Sequence, residues 1–195
     1  MQKIIIASHN QGKIILFRKL FSELGCTLVV PKAHLEIKET GKTAEENAIL
    51  KAAAYKSTYA LPIFADDASI HFDALGGQPG LEVRRWMGRF PDTVADEVWL
   101  DFVIGELKKS KGAKTGKIQA TWVLYTDTIH TKAIEIPFDV SLEPHRPYVP
   151  GFPLSAITMH PITKIPYSDN DIEQRCKDIR SDFRDFVRTV FKLSS

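Results

Sequence analysis

The chain is poor in cysteine, in long apolar runs and in any excess of one charge, and each shortage excludes something. Its two cysteines, Cys26 and Cys176, lie far apart in sequence and fit no metal-ligand or redox spacing. They are expected to be two buried thiols of a cytoplasmic protein. Lys+Arg number 26 and Asp+Glu 24, a formal net charge of +2. That balance argues against a protein that coats nucleic acid, which would carry a strong basic excess. No apolar run approaches the roughly 18 residues that span a membrane. The opening Met1–Ala7 has a short apolar run and no cleavage pattern, so a secretory leader is not expected. Repeats and obvious linkers are absent too. What remains is ordinary globular composition, 44% hydrophobic and 26% charged over 195 residues. That length allows one large domain or two small lobes sharing a core, and a single domain over residues 1–195 is expected.

Local patterns supply the elements. Lys3–Ala7 is a continuous, isoleucine-rich run that reads as a buried strand. Ile14, Phe17, Leu20, Phe21 and Leu24 recur at helical intervals, and Gly25 stops that helix. Cys26–Val30 is a second strand closed by Pro31, so the chain opens β-loop-α-β, the start of a mixed or parallel sheet. Thr43 and Glu46 have capping-box spacing at the head of a helix that runs on to Tyr59. Asn47 and Lys51 share one face of it. Ala60–Ala65 reads as a strand ending in Asp66-Asp67, followed by the glycine-rich stretch Asp73–Gly80 and by Arg84, Arg85 and Trp86. A helix over Thr93–Lys109 would bury Val94, Val98, Phe102, Val103 and Leu107. The lysine-rich Lys108–Lys117 reads as a solvated loop, then two strands follow over Lys117–Thr126 and Thr131–Leu142. Pro144–Pro166 has no regular pattern. A final helix over Asp171–Lys192 would turn Ile172, Cys176, Ile179, Phe183, Phe186, Val187 and Val190 inward.

Three places carry possible chemistry. Ser8–Lys13 joins a strand to a helix, where free backbone N–H groups and the positive helix end favour an anion. Lys13 adds charge there, and Asn10 a side-chain donor, but the spacing is not that of a P-loop. The bland alternative is a polar turn capping a helix. Asp66-Asp67 sets two carboxylates side by side, which is costly unless a cation or proton lies between them. Oxygen ligands of this kind suit Mg²⁺, with a phosphate completing its shell. A solvated turn is the alternative. Gly76–Gly80 with Arg84 and Arg85 could approach and grip a phosphate, or be a tight turn with two surface arginines. The six histidines form no metal-ligand pattern, and His9 stands out only for its place in the first loop. Together the three places describe a site for a nucleoside triphosphate with Mg²⁺.

In their order these motifs resemble the inosine triphosphate pyrophosphatase family, which removes deaminated purine nucleotides such as ITP, dITP and XTP. Ser8-His9-Asn10-Gln11-Gly12-Lys13 is similar to its opening Thr-x-Asn-x-x-Lys. Glu39–Ala52 matches Glu-Thr-Gly-x-Thr-x-x-Glu-Asn-Ala-x-x-Lys-Ala throughout. Ala65–Ile70 and Asp73–Gly80 resemble its Ala-Asp-Asp-Ser-Gly-Leu segment and glycine loop. The likeness is strong over residues 1–90 and weak afterwards. It implies an elongated α/β fold, a mixed sheet with flanking helices and two lobes around a central nucleotide cleft, usually as a homodimer. It implies cleavage of the α–β phosphate bond, giving monophosphate and pyrophosphate. By matching position Ser8, Asn10, Lys13 and Lys51 would hold phosphate. Asp67 would be the general base or a metal ligand, with Asp66 and Glu39 as further ligands of Mg²⁺.

The departures concern metal and base. Lys38 stands where many members have an acid before Glu-Thr-Gly. The family's Phe-Gly-Tyr/Trp-Asp-Pro segment is reduced to Gly151-Phe152-Pro153, leaving Phe152 to stack on a base. Its Ser-His-Arg has become Asp178-Ile179-Arg180, which keeps only Arg180 for the substrate. The triphosphate half is retained and the base-reading half is rebuilt. Two rival readings follow. One is a pyrophosphatase of different base preference, as in the septum-formation type. The other is a nucleotide-binding protein with little turnover.

Overall fold

The computed structural model describes residues 2–32, 35–148 and 150–193, and of residues 168–172 it describes the backbone only. Its helices are α1 (Gln11–Glu23), α2 (Ala44–Lys56), α3 (Asp96–Lys109) and α4 (Tyr167–Phe191). Its strands are β1 (Lys3–Ile6), β2 (Thr27–Val29), β3 (Ile63–Phe72), β4 (Pro79–Gly80), β5 (Thr115–Tyr125), β6 (Ile129–Val140) and β7 (Thr158–Met159). Among the described residues seven strands form one sheet in the order β2-β1-β3-β5-β6-β7, with β4 on β3. β1 is parallel to both β2 and β3, whereas β4 and β7 pair antiparallel, so the sheet is mixed. The expected mixed sheet with flanking helices is therefore present.

The chain forms two compact units. The first holds residues 1–67, 120–134 and 175–195, the second residues 68–119 and 135–174. In the first unit β1 and β3 are buried on both faces, because successive side chains of a strand point to opposite sides. Phe64 joins Phe17 and Phe21 of α1 and Phe183 of α4, with ring centroids 4.6–5.8 Å apart, and Trp122 stacks edge-on against Phe183 at 5.2 Å. Ile63 and Ala65 face the other way, onto Ala48, Ala52 and Tyr55 of α2. In the second unit Trp99, Leu100, Val103 and Leu107 of α3 pack with Phe72, Phe138 and Ile157.

Local signals placed most element ends within a few residues. Asn10 caps α1, its side-chain Oδ1 accepting from the Lys13 N–H, and Gly25 past the far end has φ +69°. Thr43 caps α2 by accepting from the Glu46 N–H at 3.1 Å. The box is not reciprocal: Glu46 accepts from the Lys42 N–H at 2.6 Å, one residue before the cap.

Three expectations change. β3 does not end at the aspartates but runs through them to Phe72, because each carboxylate meets a lysine on its own side. α3 starts later, at Asp96, and its buried stripe is Trp99, Leu100, Val103, Ile104 and Leu107, leaving Val98 55% exposed. Lys108–Lys117 is no free loop: its first two residues end α3, and Lys114 Nζ donates to the Leu107 and Ser110 carbonyls there. In α4 Cys176, Ile179, Phe183 and Val187 are buried as expected, and the side chain of Ile172 lies outside the described residues.

Phe183 touches four aromatic rings, so truncation leaves a large void with little to collapse into it. Phe183→Ala is expected to cost about 3–5 kcal/mol, measured by urea unfolding.

Candidate functional site

The site grows from the end of β1. The chain leaves the sheet at Ile6, where the Ala7 N–H still donates to the Phe64 carbonyl at 2.8 Å. Ser8 then turns it, its Oγ accepting from the Asn10 N–H at 3.3 Å, and α1 begins. Asn10's side-chain Oδ1 is occupied as the cap, so the donor it brings is its amide nitrogen. Lys13, in the first turn of α1, reaches back to Asp66 at 2.5 Å.

One residue further along β3 the other face carries a second ion pair. Lys51 Nζ donates to Asp67 Oδ1 at 2.6 Å and lies 3.0 Å from Glu39 Oε1. The Lys51 ammonium thus stands between two carboxylates. Burial works to lower its pKa, but the fields of Asp67 and Glu39 and their hydrogen bonds outweigh burial and hold it raised. A raised folded pKa means the pairing energy is fully present below the ordinary lysine value and is lost only as the pH climbs through the folded one.

The Glu39–Ala52 motif explains how Glu39 is held there. Asn47, buried on α2, accepts at Oδ1 from the Gly41 N–H at 2.8 Å. A Cβ on residue 41 would lie 2.6 Å from that oxygen, so only glycine lets the segment approach. Glu46 grips the next N–H, and the strap carrying Glu39 is fastened to the helix that carries Lys51.

The other sequence candidates go elsewhere. Gly76–Gly80 is the turn from β3 into β4, with Gly76 and Gly77 at φ +62° and +87°. Arg84 is spent on Asp96 and the Val94 carbonyl, and Arg85 on Glu82 and Asp92. Arg180 makes a two-point ion pair with Glu23 at the end of α1, at 2.8 and 3.0 Å. Phe152 belongs to the second unit, where its carbonyl accepts from Ser155. Lys38 is exposed. Sequence reading passed over Tyr55, whose hydroxyl lies 2.8 Å from His9 Nε2. Its one advance signal was position: it follows Lys51 by one helical turn on the same face of α2.

With this geometry in view, comparison with known proteins is decisive for kinship. Residues 4–136 match the Ham1 family. The chain belongs to the Ham1 family. The match extends past the glycine loop, further than the residues 1–90 over which the likeness was expected to be strong, and ends before Phe152 and Arg180. A dITP/XTP pyrophosphatase of Streptomyces avermitilis is 40% identical over 121 residues, 60% of this chain and 59% of that protein. One of Bacillus subtilis is 34% identical over 140 residues, 69% of each chain. The matched stretch is thus less than two thirds of the Streptomyces relative. The HAM1 protein structure from Coxiella burnetii has a TM-score of 0.75 at 22% identity, covering 98% of this chain and 99% of that one. That likeness establishes the Ham1 fold across the whole chain.

Replacing Lys51 with methionine keeps most of the side chain's volume and leaves two facing carboxylates without their cation. Lys51→Met is expected to cost roughly 1–3 kcal/mol in urea unfolding, with 1 M salt recovering part of the loss.

Proposed function

We propose that the chain is a nucleoside triphosphate pyrophosphatase that acts on deaminated purine nucleotides (ITP, dITP, XTP) and releases pyrophosphate. The observation that carries this reading is the Lys51 ammonium set between Asp67 and Glu39, with Lys13 paired to Asp66 on the other face of β3. Two lysines held by carboxylates can turn to phosphate oxygens as those arrive. The names of the Streptomyces and Bacillus relatives support the same substrate class.

The donor set suits Mg²⁺. Asp67 and Glu39 converge on one cation position, now filled by the ammonium, and hard carboxylate oxygens with phosphate are what this ion takes. Among the described residues no three His, Cys, Asp or Glu side chains gather into a metal site, so substrate oxygens and water would complete the shell. Asp66 is turned to Lys13 and is the weaker candidate ligand. When bound, Mg²⁺ neutralises charge on the phosphates.

In the reaction Lys13 and Lys51, with Asn10 and Ser8, hold the phosphates. Asp67 takes a proton from the attacking water as its oxygen bonds to the α-phosphorus. The α–β bridging bond breaks, and pyrophosphate leaves with its electrons. Phe152 is proposed as a surface for the base. Arg180, already held by Glu23, is proposed as a support beside the substrate rather than as its main anchor. A homodimer and a cytoplasmic place belong to this reading; the buried Cys26 and Cys176, neither in a disulfide, favour a reducing compartment, and among the described residues no helix is long and apolar enough to cross a membrane.

A panel of triphosphates assayed for pyrophosphate release tests the reading. Deaminated purines should be preferred, and Asp67→Asn should lose at least about a hundredfold in kcat while still unfolding in one cooperative transition, somewhat earlier than wild type because Lys51 loses a charged partner. Near-normal turnover in that variant would remove Asp67 from the chemistry.

A second reading, nucleotide binding with little turnover, draws on Lys38. This exposed cation stands where an acid was expected. Lys38→Glu should tighten Mg²⁺ binding to the nucleotide-free protein in calorimetric titration, since a hard cation gains an oxygen ligand. Equal affinity would mean that residue 38 points away from the ion.

A further inference from the structure

We propose that His9 is a positioning residue, latched by the Tyr55 hydroxyl so that the phosphate loop and α2 keep a fixed spacing for a polyphosphate. His9 Nε2 lies 2.8 Å from that hydroxyl. The inference rests on the phosphate-binding reading above.

Lys13 and Lys51 approach β3 from opposite faces, one from α1 and one from α2. A polyphosphate held by both needs the two ammonium groups at a set separation. Each helix packs on its own side of β3, through different residues. The His9–Tyr55 bond adds a direct link between the loop before α1 and α2. His9 belongs to the loop that carries Ser8 and Asn10 into α1, and Tyr55 lies one turn beyond Lys51 on α2.

The anchor is firm at one end and open at the other. Tyr55 is 1% exposed, packed among Ile5, Ala48, Ala52 and Ile63, and stacked on Tyr59 at 6.1 Å. His9 is exposed, where a ligand can reach the loop it steadies. Burial keeps the Tyr55 phenol in its protonated form, against a backbone hydrogen bond from Leu35 that pulls the other way. The phenol and His9 Nε2 share one hydrogen bond, whose donor is set by the imidazole tautomer. The same hydroxyl thereby joins the phosphate loop, the helix of Lys51 and the strap leading to Glu39. A core residue would need only the ring, and phenylalanine would serve. The buried hydroxyl aimed at an exposed histidine is the feature that calls for a role.

The test is binding of inorganic tripolyphosphate by calorimetry, beside steady-state pyrophosphate release, in wild type, His9→Ala, Tyr55→Phe, the double variant and His9→Gln. Each single removal should weaken tripolyphosphate binding by about five- to tenfold, the worth of one neutral hydrogen bond. The double variant should be no weaker than Tyr55→Phe alone, because loss of the phenol hydroxyl already removes the bond to His9. Glutamine places an amide oxygen near the lost Nε2, so His9→Gln should keep most of the affinity. In turnover the loss should fall on KM, with kcat within about twofold, a split that general loosening of the fold would not produce. Unchanged affinity in Tyr55→Phe, multiplying losses in the double variant, or a His9→Gln as weak as His9→Ala would each overturn the latch. A wild type that binds tripolyphosphate but releases no pyrophosphate from any triphosphate ends the hydrolase reading and leaves the latch to stand on the affinities. Normal turnover with unaltered KM in Tyr55→Phe does the reverse. A wild type that neither binds nor turns over removes both.

Discussion

The part-buried ammonium of Lys51 is the constraint around which the rest of the site is arranged. A charge in so enclosed a place must be paired, and Asp67 and Glu39 pair it from two separate parts of the chain. Each partner then needs its own support. β3 holds Asp67 by pairing with β1, and the strap holds Glu39 through Gly41, Asn47 and Glu46. The Glu39–Ala52 motif is therefore one mechanical unit: a cap, a buried amide, a glycine that permits close approach, and the lysine they serve.

Alternation along β3 gives the site its second dimension. Adjacent aspartates in a turn would repel each other, and that repulsion suggested a shared cation. In an extended strand they face opposite ways, and each has a lysine from the helix on its own side. The same alternation sends Phe64 to the aromatic layer of α1 and α4 and Ala65 to α2. Core packing and the two ion pairs are thus set by one strand, residue by residue. A ligand that engages both lysines has to meet the sheet where β1 ends.

Kinship and chemistry agree over the first part of the chain and separate later. The Ham1 match covers the phosphate loop, the strap and both aspartates. Near the C-terminus Arg180 sits within a forked ion pair to Glu23 of α1, which ties α4 to the first helix. Asp178-Ile179-Arg180 keeps only the arginine of the C-terminal Ser-His-Arg pattern.

Much of this was legible locally. The α1 and α2 caps, the stop at Gly25 and the buried face of α4 follow from hydrogen-bonding needs and helical periodicity that a few neighbouring residues settle among themselves. The amines and carboxylates that meet on β3 were legible as residue types too. Partnership was not. Whether Asp66 and Asp67 share a cation depends on the strand continuing past them, and that depends on the lysines that meet them from α1 and α2. The stripe of α3 shifted from Val98 to Trp99 because its start was decided by packing in the second unit, where Trp99 also donates to the Val83 carbonyl. Arg180 with Glu23, and His9 with Tyr55, join residues far apart in the chain. Composition and short-range spacing carry no information about such pairs, because their energy arises only once the sheet has brought the helices onto its two faces.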